Sequence, residues 1–230
     1  MMVWKMTNLK RKSVTDNAIG VTEAVELLKK ACQDKQRKFV ENVDLAINLT
    51  IDPKQTNQNV RGSVSLPAGS GKEVKVIVFT EDDSLKEEAL KAGAMMAGFE
   101  DLIEKVENGF LGFDSCVATP EAMKKMGKIA KILGPRGLMP NPKNGNITRE
   151  IANVVKEIRK GKVDFKNDKF GIVHVGVGKI NFSSEDLLKN IKTVVSALRE
   201  VKPEGVKGKY IKNIFLTSTM GPSFLINVDK

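Results

Sequence analysis

The chain has little of what most site chemistry needs. It holds one histidine, two cysteines, one tryptophan and one tyrosine in 230 residues. A general base needs an orienting partner and a metal needs several ligands, so His174 alone points to neither, and no cofactor or metal is expected. Cys32 and Cys116 lie far apart with no CxxC, which argues against a disulfide framework or a zinc site and leaves two free thiols. No run approaches the roughly 18 apolar residues of a membrane span. The N-terminal MMVWKMTNLKRK has a basic cluster at Lys10–Lys12 but no apolar stretch beside it, so no secretory leader is expected. Aromatics make up 5% of the chain, fewer than a surface of interleaved aromatics and cations would need.

What the chain does have is positive charge, +10 in all. Residues 1–67 hold 11 Lys/Arg against 7 Asp/Glu and residues 161–230 hold 12 against 7, whereas residues 68–160 hold 15 against 14. Two basic ends around a nearly neutral middle suggest one basic body interrupted by an insert. Such an excess attracts a polyanion, because neutralising phosphates releases their counterions. The middle is itself polarised: residues 81–121 carry 3 basic against 11 acidic groups, residues 122–160 carry 10 against 2.

Periodicity gives the two bodies different architectures. In the middle, Val74–Thr80 is a nearly continuous apolar run, as in a strand covered on both faces. Ser84-x-x-Glu87 predicts a capping box opening a helix to about Ala97, and Glu100–Glu107 predicts a second helix. Ser115–Ala118 reads as a strand, followed by Thr119-Pro120 opening one helix through Leu133. This order predicts α/β with a parallel sheet. At the ends, Val21, Val25, Leu28 and Cys32 form a helical stripe, and Val43–Ile51 alternates like a half-buried strand. Val163–Phe165 and Phe170–Val177 read as strands around a turn, Leu187–Leu198 as a helix opened by Ser183 or Ser184, and Tyr210–Leu216 and Phe224–Val228 as closing strands. The ends therefore predict an α+β body with an antiparallel sheet. The expected domains are 1–67 with 161–230, and 68–160, with crossings near Pro67–Lys72 and Lys160-Gly161 as a hinge.

Two glycine motifs invite an enzyme reading and fall short of it. Ala68–Glu73 (AGSGKE) lacks the first glycine of a phosphate loop, and Glu73 replaces the hydroxyl that would hold magnesium. Gly176-x-Gly178-x-x-Asn181 lacks the third glycine of a dinucleotide fingerprint. The alternative to nucleic-acid binding is thus an enzyme using the middle unit for a nucleotide cofactor, or a scaffold using the acidic 81–121 face. Phe39, behind Arg37-Lys38, is either a stacking residue or a staple on the core edge. Thr217–Ser223 (TSTMGPS) carries hydroxyls at Thr217 and Thr219 and a glycine at Gly221; it suits contact with ribose and backbone across a shallow RNA groove, or is an ordinary hairpin loop.

The most distinctive stretch is Gly134–Lys143 (GPRGLMPNPK), too dense in proline and glycine for helix or strand yet stiffer than a Gly/Ser linker. Within ILGPRGLMPNPKNG (Ile132–Gly145) it resembles the signature of the ribosomal protein L-one family, whose protein sits on the mobile stalk beside the tRNA exit site. KFVENVD (Lys38–Asp44), QNVRG (Gln58–Gly62), NDKFGIVHVGVGK (Asn167–Lys179), KPEGVKGKYIK (Lys202–Lys212) and TSTMGPS match the same family in order. The resemblance implies a terminal-derived RNA-binding domain with an inserted Rossmann-like domain. It implies a non-enzymatic, ribosome-associated protein of a bacterial cytoplasm or organelle interior, monomeric within the ribosome and without a membrane partner. Its partners would be the large-subunit rRNA stalk, deacylated tRNA at the exit site, whose release stalk motion assists, and its own mRNA, which family members can repress. The site would use Lys38, Phe39, Glu41, Thr219, Met220 and Gly221, with Asn42 where the family usually has Thr or Ser. Lys169, His174 and Lys179 would be secondary phosphate or sugar contacts. Arg136 and Lys143 would add a weaker, salt-sensitive one.

Overall fold

The structure, a computed structural model, describes residues 18–34, 37–206 and 208–228. The basic cluster Lys10–Lys12 and Lys207 lie outside them. Elements follow in the order β1 (Ile19–Gly20), α1 (Val21–Asp34), β2 (Asn42–Leu49), β3 (Arg61–Ser65), β4 (Val76–Phe79), α2 (Asp83–Lys91), β5 (Met96–Gly98) and α3 (Glu100–Glu107). After these come β6 (Ser115–Ala118), α4 (Pro120–Lys125), α5 (Gly127–Leu133), α6 (Ile151–Lys160), β7 (Lys162–Lys166), β8 (Ile172–Lys179), α7 (Ser184–Glu200), β9 (Ile211–Ser218) and β10 (Ser223–Asn227). The protein is mixed α/β. Its contacts divide it into two units, one running up to Asn59 and resuming at Asn167, the other Val60–Lys166.

In the terminal unit one sheet runs β1-β10-β9-β2-β8, antiparallel except for the two-residue pairing of β1 with β10. The alternation of β2 becomes a one-sided strand: Val43, Leu45, Ile47 and Leu49 are buried, and Asp44, Ala46 and Asn48 between them are only partly covered. The strand stops at Leu49, two residues short of the expected Ile51. Of the two serines expected to open helix α7, Ser183 is the cap: its Oγ accepts the Asp186 N–H at 3.0 Å. It buries Leu187, Ile191, Val194, Val195 and Leu198, and α1 buries Val21, Ala24, Val25 and Leu28.

The inserted unit has a three-stranded parallel sheet in the order β5-β4-β6. Strand β4 is buried on both faces, as its unbroken apolar run predicts. Ile77 and Phe79 join a core with Leu102, Met126, Ile129 and Leu133, whereas Val76 and Val78 join another with Ala89, Val155 and Ile158. Thr119 caps α4 as predicted, its Oγ1 accepting the Ala122 N–H at 3.3 Å.

Several sequence expectations change here. The helix from Ser84 to Ala97 is α2 alone: Gly93 turns to φ +98°, the Ala92, Gly93 and Ala94 N–H groups close on the Glu88, Leu90 and Ala89 carbonyls, and the chain joins the sheet as β5. Asp82, not Ser84, occupies the N-cap. The helix after Pro120 breaks at Met126 (ψ 3°) into α4 and α5. Strand β7 pairs with β3, not β8, and this ribbon belongs to the insert. The glycines expected to form a hinge instead form a tight contact inside that unit: Leu66 N–H donates to the Gly161 carbonyl at 3.1 Å, and a Cβ on Gly161 would meet Gly69 Cα at 2.6 Å. By their contacts the units divide at 59/60 and 166/167.

Candidate nucleic-acid interface

The segment before β2 and the β9–β10 turn meet at one end of the terminal sheet. Asn42, the first residue of β2, donates its N–H to Thr219 Oγ1 at 3.0 Å and accepts the Thr219 N–H at 3.1 Å. Asn42 thus bonds through its backbone, and its exposed side chain is not needed to hold Thr219.

Glu41 lies under this turn and is 3% exposed. Its Oε2 accepts from Ser218 Oγ at 2.7 Å and from the Met220 N–H at 3.1 Å. Its Oε1 lies 2.7 Å from Arg37 Nε, an ion pair whose N–H is not aligned as a hydrogen bond. Arg37 also donates through Nη2 to the Met220 carbonyl at 2.9 Å. Burial alone would raise the Glu41 pKa, but the Ser218 hydroxyl, the Met220 N–H and the Arg37 charge outweigh it and hold the carboxyl below its ordinary range. A buried carboxylate with this many donors stays ionised and fixes the turn. Gly221 is required by close approach, since a Cβ there would collide with Ser218 Oγ.

The turn holds its outer groups toward solvent. Lys38 and Thr219 are exposed, Phe39 is 52% exposed and Met220 61%. Thr217 lies on the partly covered face of β9, opposite Asp44. Lys179 ends β8 opposite Asn42. The array offers hydroxyls, an ammonium and two exposed apolar side chains around a backbone turn braced from below. Of its acids, Glu41 is buried and paired, and Asp44, opposite Thr217, is partly covered. That combination suits a phosphate–ribose surface with an apolar contact.

A profile of the Ribosomal protein L1p/L10e family matches residues 6–222. The chain belongs to that family. It is 47% identical over 214 residues to the large ribosomal subunit protein uL1 of Persephonella marina, covering 93% of this chain and 88% of that one. It is 45% identical over 223 residues to the uL1 of Pasteurella multocida (97% and 96%), and 44% identical over 211 residues to that of Protochlamydia amoebophila (92% and 88%).

The remaining residues implied by likeness to the L1p/L10e family are dispersed. Lys169 is exposed in the turn before β8, beyond the far end of the strand from Lys179. His174 lies between them with its side chain 63% exposed, its Nε2 3.8 Å from Asp168 Oδ2. Arg136 is exposed in the Gly134–Gly137 turn of the other unit, and Lys143 falls in a short 3₁₀ turn, Pro142–Asn144. That loop is anchored by Leu138 and Met139 against the core and by the Cys116 thiol on the Leu138 carbonyl at 2.5 Å. Burial pushes the Cys116 pKa up to about 12. Among the described residues no group of three or more His, Cys, Asp or Glu could hold a metal, and no helix is long and apolar enough to cross a membrane.

The sequence did not single out Arg37, Ser218 or Cys32 as parts of the layer beneath this turn. Cys32 Sγ lies 3.3 Å from Ser218 Oγ and completes the layer beneath the turn. Arg37 stands four residues before Glu41, a spacing that could have flagged the pair. Nothing in the sequence brings Ser218 to it.

Proposed function

We propose that this chain is a structural, non-enzymatic constituent of the large ribosomal subunit that binds the rRNA stalk near the tRNA exit site. Stalk movement then assists release of deacylated tRNA, and the same site gives the chain a capacity to repress its own mRNA through a mimic of the ribosomal structure. The observation that carries the reading is the Glu41-braced turn of Asn42, Thr219, Met220 and Gly221 beside exposed Lys38 and Phe39, in a chain of net charge +10 from a ribosomal protein family.

On this reading the terminal unit is the RNA-binding domain. The inserted unit is a Rossmann-like domain in which Arg136 and Lys143 add a weaker phosphate contact. Lys169, His174 and Lys179 continue the RNA contact along β8. The protein acts as a monomer in the ribosome, in a bacterial cytoplasm or an organelle interior. The cofactor-enzyme alternative finds no support at Lys72, whose ammonium is held by Asp114 at 2.6 Å rather than free for a phosphate.

Large subunits stripped of their own L1p/L10e protein should rebind this chain in equimolar amount during sedimentation, and a stalk RNA fragment should compete. Failure to rebind contradicts the proposal. Unchanged exit-site release from subunits lacking the chain removes the tRNA role alone.

A further inference from the structure

The sequence points to Phe39 as the best exposed aromatic, but the structure holds one that is more exposed. Phe170, expected inside a strand, lies outside it at 83% exposure, above Met220 at 61% and Phe39 at 52%. A lone exposed apolar residue ordinarily needs no explanation. This one is rigidly mounted. Asp168 Oδ1 accepts the N–H groups of both Phe170 and Ile172 at 2.8 Å, and Asp168 N–H donates to the Ile172 carbonyl at 2.8 Å. Gly171 turns at φ +75°, where a side chain would press on Ile51. The turn therefore carries the ring outward on a built frame.

The charges around the ring favour a polyanion. The one acid of the turn, Asp168, is occupied by those two N–H groups and faces His174 at 3.8 Å. Lys169, next to the ring, is exposed and makes no ion pair among the described residues. An exposed flat apolar face, with an exposed lysine as its chain neighbour, is the pairing by which unpaired bases are held, because every base has a π-face and a nearby phosphate. At about 3.3 Å per residue, β8 separates Phe170 from Lys179 by roughly 30 Å. Phe170 thus cannot share the base or sugar that meets Thr219.

We propose that Phe170 is a stacking platform for an unpaired nucleobase of the bound RNA, with Lys169 on the adjoining phosphate. The inference rests on the RNA-binding reading above. Affinity for a stalk RNA fragment should fall roughly 5- to 150-fold in Phe170→Ala, the range that loss of one base–aromatic stack gives. Phe170→Leu should fall with it, and Phe170→Trp should bind like the parent chain. With Trp4→Phe in the same chain, the indole introduced by Phe170→Trp is the sole tryptophan, and its fluorescence should be quenched by the RNA. Melting temperatures should not change, since so exposed a ring packs on little.

Unchanged affinity in Phe170→Ala, full binding by Phe170→Leu, an unquenched indole in Phe170→Trp, or a marked loss of melting temperature each overturns the platform. The two readings fail separately. If the parent chain prefers stalk RNA over scrambled RNA while Phe170→Ala is silent, only this inference falls. If the parent shows no preference, both fall.

Discussion

Glu41 and Met220 stand 179 residues apart, yet the Glu41 carboxylate accepts the Met220 backbone N–H at 3.1 Å. That bond ties the first segment of the terminal unit to its last hairpin, and the proposed RNA contact depends on it. Glu41 itself is buried, so its part is to hold the turn rather than to touch RNA.

Replacing Glu41 by Gln keeps the shape and removes the charge. Hydrogen bonds to charged groups contribute about 1.5–3 kcal/mol each, so a loss of about 2–3 kcal/mol in urea unfolding is expected, with weaker RNA binding. The Glu41 pKa is lowered in the folded state, so its stabilisation is complete above the ordinary value of 4.5 and disappears as pH falls through the lowered one. The gap between parent and variant should therefore close in acid. A gap constant from pH 7 to pH 3 would contradict the pairing.

Gly221→Ala places a methyl on Ser218 Oγ, which cannot swing away without leaving Glu41. Overpacking of this kind costs about 1–3 kcal/mol. Ser218→Ala removes the obstructing oxygen, so the double variant should lose less stability than the two single losses added. Strict additivity in a double-mutant cycle would show that the collision does not occur.

Half-buried Asp44, on the face of β2 away from the helices, behaves oppositely to Glu41. Burial raises its pKa, and the His174 charge only partly offsets this. A raised carboxyl pKa is a cost when the group is ionised. Asp44→Asn should therefore melt higher at pH 7. The advantage should shrink as pH falls through the raised pKa and vanish below 3.8. A lower melting temperature at pH 7 would refute this.

Much of this was legible in the chain, and for identifiable reasons. The two-residue alternation of Val43–Leu49 and the caps at Thr119 and Ser183 are local signals, and the structure keeps all three. Misreadings arose where tertiary partners decide. Met96–Gly98 has helix-compatible residues but a parallel neighbour in β4, and Val163–Phe165 needs β3 from about a hundred residues earlier. At the site, TSTMGPS and KFVENVD marked the two segments, and the i,i+4 spacing of Arg37 and Glu41 is local, but the bond from Ser218 to Glu41 is a long-range contact that no spacing encodes.

If Arg136 and Lys143 reach RNA phosphates, alanine at both should make the dependence of binding on salt shallower by about one to two in log–log slope, about one per contact. Scrambled and stalk RNA should be affected alike. An unchanged slope would remove this loop from the interface.

The central claim is that the Glu41-braced turn recognises the rRNA stalk. The most direct measurement compares binding of a stalk fragment and a scrambled RNA of equal length across a salt series, for the parent chain, Thr219→Ala and Met220→Ala. The account expects a preference approaching ~10³ at physiological salt, the lower end of the range in well-measured DNA systems, and a clear reduction in both variants. Equal, steeply salt-dependent binding to both RNAs, unaffected by either substitution, would contradict it.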